Sequence, residues 1–432
     1  MANNCKITIS NQFAIKDEAI NKFQAFINDI NHRINKKTMS GHENYGFRDP
    51  LKNTIEQDLI KIQKEAKLLK DEGVQVLLVI GGKHICLQSQ AFIDLFMPKL
   101  NKNKGLEIIY VDEYLDGRDL TNLINYLEDK TFAINVISQN SESLETLILY
   151  REFRSLLEQV FSKAVANKYI YITTNNNFGY LFEEVTNNNL KHFILLDNLT
   201  ERYLGLSPAV LFPLACADIN IKEVIDGAIK AKAWFSIDDL EKNSAYRYAV
   251  IKYILYRNEF KIENINVFSK QEMKLGELFQ MYASESCVKQ KKGILPILNH
   301  ANSSIKAFGQ SLAENEFKIF YTTIHIQIPK YDFKIAPYQN QSDEHIKYLI
   351  DTTYNKINRT VIESFIENHV IIYKIPNIKI EIMDDNVETF GWILSFLHYS
   401  SIMFAYLIGV NPFINNTQNS FNINFKKNIK DI

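Results

Sequence analysis

The sequence predicts an α/β protein of two lobes, each a mainly parallel sheet flanked by helices, with a helical C-terminal tail. Three observations carry this. Short β-branched and apolar runs alternate with amphipathic helical stretches along most of the chain. The run from Val74 to Ile80 is nearly all apolar, as a strand covered on both faces requires. It stops at Gly81-Gly82, and a helix-like stretch from Gln88 to Leu100 follows, which is the strand–turn–helix order of a βαβ unit.

The elements follow in order. Residues 1–69 read as a polar, helical lead-in, with apolar residues three and four apart between Leu51 and Glu72. Residues 70–215 form the first lobe. After Val74–Ile80 come strands at Leu106–Val111, Phe132–Ile137, Tyr169–Thr174 and Phe193–Leu196. Helices at about 120–129, 143–167 and 180–189 separate them. Residues 216–408 form the second lobe, entered by a long helical region over Pro208–Ala233. There the strands are expected at Tyr246–Leu255, Ile265–Phe268, 317–326 and 370–374. Its helices are expected at 271–282, 343–366 and 386–408, and residues 409–432 make the tail. In such sheets ligands sit at the carboxyl ends of the strands. That places Gly81–Lys83, Ser138–Ser143, Thr173–Asn175 and Asp197–Tyr203 on one rim.

Composition narrows the function class. The 49 Lys and Arg balance 50 Asp and Glu for a formal net charge of −1, without the basic footprint of a nucleic-acid binder. The four cysteines, Cys5, Cys86, Cys216 and Cys287, are far apart and form no Cys-x-x-Cys pair. No zinc site or disulfide framework is expected, and a cytoplasmic location is. Residues 1–20 lack the apolar core of a signal peptide. The apolar stretch Phe390–Phe413 holds His398 and three serines, so it is read as a buried core helix and no membrane partner is expected. Glycine is scarce, 15 in 432 residues, about half the usual ~7%.

The rim segments, in this order, resemble the glucose-6-phosphate isomerase family of bacterial type, which is built on two sugar-isomerase (SIS) domains. Val74–Cys86 is similar to the family's strand and Gly-Gly-Ser turn. Residues 193–220 stand where the family has Gly-Gly-Arg-Tyr. Residues 284–310 stand where it has Gly-Glu-Ser, then Lys-Gly-Ile-Phe-Pro, then Gly-Gln. Leu407-Ile408-Gly409-Val410-Asn411-Pro412-Phe413 is the most specific match. Together these cover roughly residues 46–428.

The resemblance implies interconversion of glucose 6-phosphate and fructose 6-phosphate through an enediolate, in a homodimer, with no cofactor and no metal. It places the catalytic base on Glu285 and the enediolate-stabilising cation on Arg202, followed by Tyr203. The late catalytic lysine falls on Lys426 if four residues are inserted before it. The ring-opening histidine falls on Lys306, a poor proton shuttle because lysine stays protonated near neutrality. His300, six residues earlier, reaches that role only by backbone rearrangement. Gly82, Lys83, Ser138, Asn140 and Ser143 fall on the substrate side, where they face the sugar phosphate.

The departures cluster there. Lys83 replaces a serine, and Glu142 stands where a threonine holds phosphate. Lys83 can pair either with Glu142 or with the phosphate, and both stay open. Thr200 and Glu201 replace two glycines, so a positive-φ turn is not expected there and a competing charge is. Two readings follow: an active isomerase with a remodelled anion site, or a catalytically impaired pseudo-isomerase kept for assembly or ligand binding.

Overall fold

The computed structural model describes residues 5–13, 15–49, 56–97, 105–111, 116–140, 143–305, 308–337, 344–414 and 416–429. Glu142 and Lys306 lie outside the described residues. The chain divides into two compact units. One comprises Arg33–Lys232 with Asn411–Ile432, the other Met1–His32 with Ala233–Val410. Both are discontinuous. The lead-in is shared between them, and the tail beyond Val410 belongs with the first.

The described strands are β1 (Ile7–Gln12), β2 (Val76–Ile80), β3 (Glu107–Val111), β4 (Phe132–Ile137) and β5 (Ile170–Thr174). Then come β6 (Lys191–Ile194), β7 (Ile262–Val267), β8 (Leu295–His300), β9 (Ile319–Ile328) and β10 (Asn377–Asp384).

In the first unit the order is β3-β2-β4-β5-β6, and every pairing is parallel. All five residues of β2 are inaccessible to solvent, because helices cover both faces of a parallel sheet. Val76, Leu78, Ile80, Ile134, Val136 and Ile172 point to one face and pack with Leu149, Phe153 and Leu157 of the helix Leu144–Val160. On the opposite face Tyr171 meets Phe212 of the helix Pro208–Cys216 at a ring distance of 4.7 Å. The long helix expected over Pro208–Ala233 is two, Pro208–Cys216 and Ile221–Phe235, separated where Asp218 takes a φ of 60°.

In the second unit the order is β1-β10-β9-β7-β8, parallel except for β1 against β10. Tyr246–Leu255 is not a strand but part of the helix Ser244–Arg257. Its aromatic and β-branched residues suit either state, and the Asn243 cap decides it. That side chain accepts from Tyr246 N–H at 3.0 Å and donates to the carbonyls of Phe235 and Ile237. The strand expected at 370–374 lies later, at β10, where Ile378, Ile380 and Ile382 alternate inward. Residues Glu367–Ile372 are a π-helical turn continuing the helix Tyr354–Ile366. Two strands differ from expectation by their presence. β1 lies within the lead-in, and β8 contains Pro296, which a sheet tolerates because β8 is an edge.

The helix Val387–Leu407 is long and apolar enough to cross a membrane, but 94% of its most apolar window is buried inside the structure. It packs on the helices Ser244–Arg257 and Met273–Cys287. His398 on it hydrogen-bonds the Tyr282 hydroxyl at 2.9 Å, and burial pushes its pKa down to about 3. Nearby, fully buried Glu263 accepts from Lys252 Nζ at 2.5 Å and from the Tyr248 and Thr322 hydroxyls at 2.6 Å each.

Candidate active site

The first unit's strand order places a ligand crevice by topology alone. The chain leaves β2 for β3 on one side and returns to β4 on the other, so the β2 and β4 ends diverge into a switch point. Gly81-Gly82 follows β2, and Ser138–Asn140 follows β4. Ser138 is buried and its N–H donates to the Thr173 carbonyl at 3.2 Å; Asn140 is half-buried. Lys83 is exposed as the first residue of the helix Lys83–Phe96. Ser143 is the N-cap of the helix Leu144–Val160, its hydroxyl accepting from Thr146 N–H at 3.3 Å. Gly82, Ser138, Asn140 and Ser143 therefore sit on loops after the adjacent strands β2 and β4, and Lys83 opens the helix after β2. Glu142, one of the two partners open to Lys83, lies outside the described residues.

Thr200 and Glu201 take the place of two glycines without strain. Thr200 is extended at φ −106°, and Glu201 opens a short 3₁₀ turn, Glu201–Tyr203. Neither requires a positive φ. The Glu201 carboxylate is not an uncompensated charge at the rim. It meets His84 Nε2 at 2.9 Å and accepts from Gln139 N–H. Burial pushes its pKa up, but His84, Gln139 and neighbouring Arg202 outweigh burial and hold it below the ordinary carboxylate range.

The surrounding loops are laced together. Gln88 Nε2 donates to the carbonyls of Glu201 at 2.7 Å and His84 at 2.9 Å. Gln139 Nε2 donates to Leu199 O at 2.7 Å, and Asn175 Nδ2 donates to Gln139 O at 2.7 Å. Gly82 has an ordinary φ of −61°, so its backbone needs no glycine. Its role is space: a Cβ there would come within 2.8 Å of His84 Cε1.

Arg202 is 2% exposed and donates to the carbonyl of Pro412 at 2.9 Å. Tyr203, fully buried, packs on Phe47 and Phe413 at ring distances of 5.3 and 5.1 Å. The Asn-Pro-Phe turn is held by Asn411 Oδ1, which accepts from Phe413 N–H at 2.9 Å. Lys426 is in the same unit, exposed on the helix Asn416–Asn428.

Glu285 belongs to the second unit, half-buried in the last turn of the helix Met273–Cys287. Ser284 is helical there, so the family's glycine is replaced without a strained backbone. His300 ends β8, with Nδ1 2.8 Å from Ser303 Oγ. Burial, and then Lys270, lowers its pKa. The residues not singled out by sequence reasoning are His84, Gln88 and Gln139. His84 stands two positions after Gly82, but its partner is 117 residues away, and no local pattern marks the pair. Among the described residues no group of three or more His, Cys, Asp or Glu is arranged to hold a metal ion.

No family model matches the chain. It is 33% identical over 408 residues to the glucose-6-phosphate isomerase of Mycoplasmopsis pulmonis, covering 94% of this chain and 95% of that one. It is 33% identical over 413 residues to that of Mycoplasma mobile, covering 94% and 95%. With that of Staphylococcus aureus the figures are 31% over 391 residues, covering 90% and 88%. Among solved structures, a hypothetical protein of Thermus thermophilus superposes with a TM-score of 0.86 at 18% identity, covering 98% of this chain and all of that one. A glucose-6-phosphate isomerase of Chlamydia trachomatis gives 0.74 at 13% identity, covering 98% and 88%, a likeness of fold. With identity above 30% running through nearly the whole length of both partners, the chain belongs to the glucose-6-phosphate isomerase family.

Proposed function

We propose that the protein interconverts glucose 6-phosphate and fructose 6-phosphate by moving a proton between C1 and C2 through an enediolate. The observation that carries this is 33% identity across 94% of the chain to a protein named glucose-6-phosphate isomerase. In this reading the Glu285 carboxylate takes the proton from one carbon and returns it to the other. Arg202 stabilises the enediolate oxygen. Its hydrogen bond to Pro412 supports that role, since a guanidinium already oriented loses little on meeting developing charge. Ser138, Asn140 and Lys83 receive the phosphate, together with the N-terminus of the helix Lys83–Phe96. Lys426 is taken as the late catalytic lysine; Lys306 is assigned no step. Residues 70–215 and 216–408 are taken as the SIS domains.

The pairing of Glu201 with His84 and Gln139 answers one physical objection to an active site, a competing charge beside Arg202. The same reading makes the protein a cytoplasmic homodimer, and four buried free cysteines agree with a reducing compartment. A coupled assay of glucose 6-phosphate formation from fructose 6-phosphate tests it, with Glu285→Gln as control. Equal inactivity of the two proteins rejects it. Sedimentation at micromolar concentration tests the dimer.

A further inference from the structure

A pyranose cannot isomerise until its ring opens. A proton must leave the C1 hydroxyl, and another must reach the ring oxygen as the C1–O5 bond breaks. An imidazole is suited to both transfers near neutral pH. The position the family resemblance assigns to that step is Lys306, which is unsuited to it.

The β2/β4 switch point holds an imidazole that no resemblance assigns. His84 Nε2 lies 2.9 Å from Glu201 Oε2, and the His84 side chain is 12% exposed. Gln88 ties the backbones of both residues, and Gln139 N–H shares the carboxylate. Gly82 leaves the space that the ring fills. An imidazole fixed by a carboxylate in a crevice is the base-and-orienter arrangement of many acid–base sites. Among the described residues, its charged neighbours include Glu201 itself, Arg202 beside Glu201, and Lys83, which precedes it on the same helix turn.

We propose that His84, oriented by Glu201, is the group that opens and closes the sugar ring in this protein. The inference rests on the isomerase reading above. Its imidazole takes the C1 hydroxyl proton and, as imidazolium, delivers that proton to the ring oxygen as C1–O5 breaks and a C1 carbonyl forms, which leaves the imidazole neutral again; closure reverses each transfer. No oxidant or co-reactant is consumed. Glu201 is a positioning residue that fixes the ring and balances the imidazolium.

Exchange between the α and β anomers of glucose 6-phosphate reads ring opening without proton transfer between C1 and C2. It is measured by NMR magnetisation exchange beside the isomerase assay. His84→Gln is expected to lower both the catalysed anomer exchange and kcat by roughly 10²–10³-fold, with KM changing less than about threefold. Glu201→Gln is expected to lower both about tenfold, and Glu201→Asp to regain part of the loss. Glu285→Gln should abolish isomerisation and keep anomer exchange. Wild-type anomer exchange in a folded His84→Gln protein overturns the inference while leaving the isomerase reading standing. A wild-type protein inert in both assays overturns both. Thermal melts establish folding; should His84→Gln not fold, the two Glu201 variants decide, and equal, undiminished exchange in both rejects the inference.

Discussion

The Arg202 guanidinium donates to the backbone carbonyl of Pro412 at 2.9 Å, joining the rim after β6 to the most specific motif of the chain. The motif's aromatic, Phe413, is itself 7% exposed and packs among Tyr45, Phe47 and Tyr203 at ring distances of 5.1 to 6.4 Å. The Asn-Pro-Phe turn is thus the socket in which the arginine is held.

Phe413→Ala should lower stability by about 3–5 kcal/mol, because it opens a cavity in this aromatic cluster. Denaturant melts check the loss. A retained melting midpoint would show that the cluster does not hold the turn.

Gly41→Ala should also destabilise the first unit. Gly41 has a φ of 84°, and a Cβ there would lie 2.5 Å from Phe413 Cδ2. Both strain and overlap act on the same turn, so a loss of about 1–3 kcal/mol is expected by thermal unfolding.

Gly82→Ala separates geometry from folding. Its backbone conformation suits alanine, so stability should change by less than about 1 kcal/mol. The new methyl would displace the His84 ring from Glu201, and isomerase activity is expected to fall at least about tenfold.

Glu263→Ala leaves the Lys252 ammonium buried without its counter-ion and should cost about 3–5 kcal/mol. Replacing both, as Lys252→Met with Glu263→Leu, should recover most of that loss. Failure of the double variant to recover would assign the effect to Tyr248 and Thr322 instead.

The acid side of the stability profile should carry the mark of His398. Its folded pKa of about 3 lies below the ordinary value of 6.5, so the unfolded chain binds the proton first. Stability is undiminished above about pH 6.5 and falls by up to about 1.4 kcal/mol per unit as pH drops toward 3. His398→Gln should flatten that slope in pH-dependent melts. His325, pushed down to about 4 by burial and then by Lys379, adds a similar contribution that the variant leaves in place.

The lobes of parallel strands were legible where pattern and physics agree. β2 is a solid apolar run ending in Gly-Gly, and β4 matches its expected bounds, because a strand buried on both faces has only one composition open to it. Tyr246–Leu255 was misleading because aromatic and β-branched residues fit a buried helix as well as a strand. β8 was hidden by Pro296, which only the knowledge that it is an edge permits. At the site, the rim loops follow from the strand–helix alternation, while Arg202 and Glu285 were singled out only by the family resemblance. The part played by Glu201 was not legible, since a charge replacing glycine looks like damage until its partner is known.

The shortage of glycine shows the same division. By itself the sequence determined the layered α/β class, the strands of the first lobe, the family resemblance and the rim on which its motifs fall, because each depends on local composition or spacing. Only the tertiary structure decided that Ser284 sits in a helix, that Glu201 is held by His84, and that Pro412 anchors Arg202. Those contacts join residues 117 and 210 positions apart. Their existence depends on how loops after different strands are brought together, which no local pattern encodes.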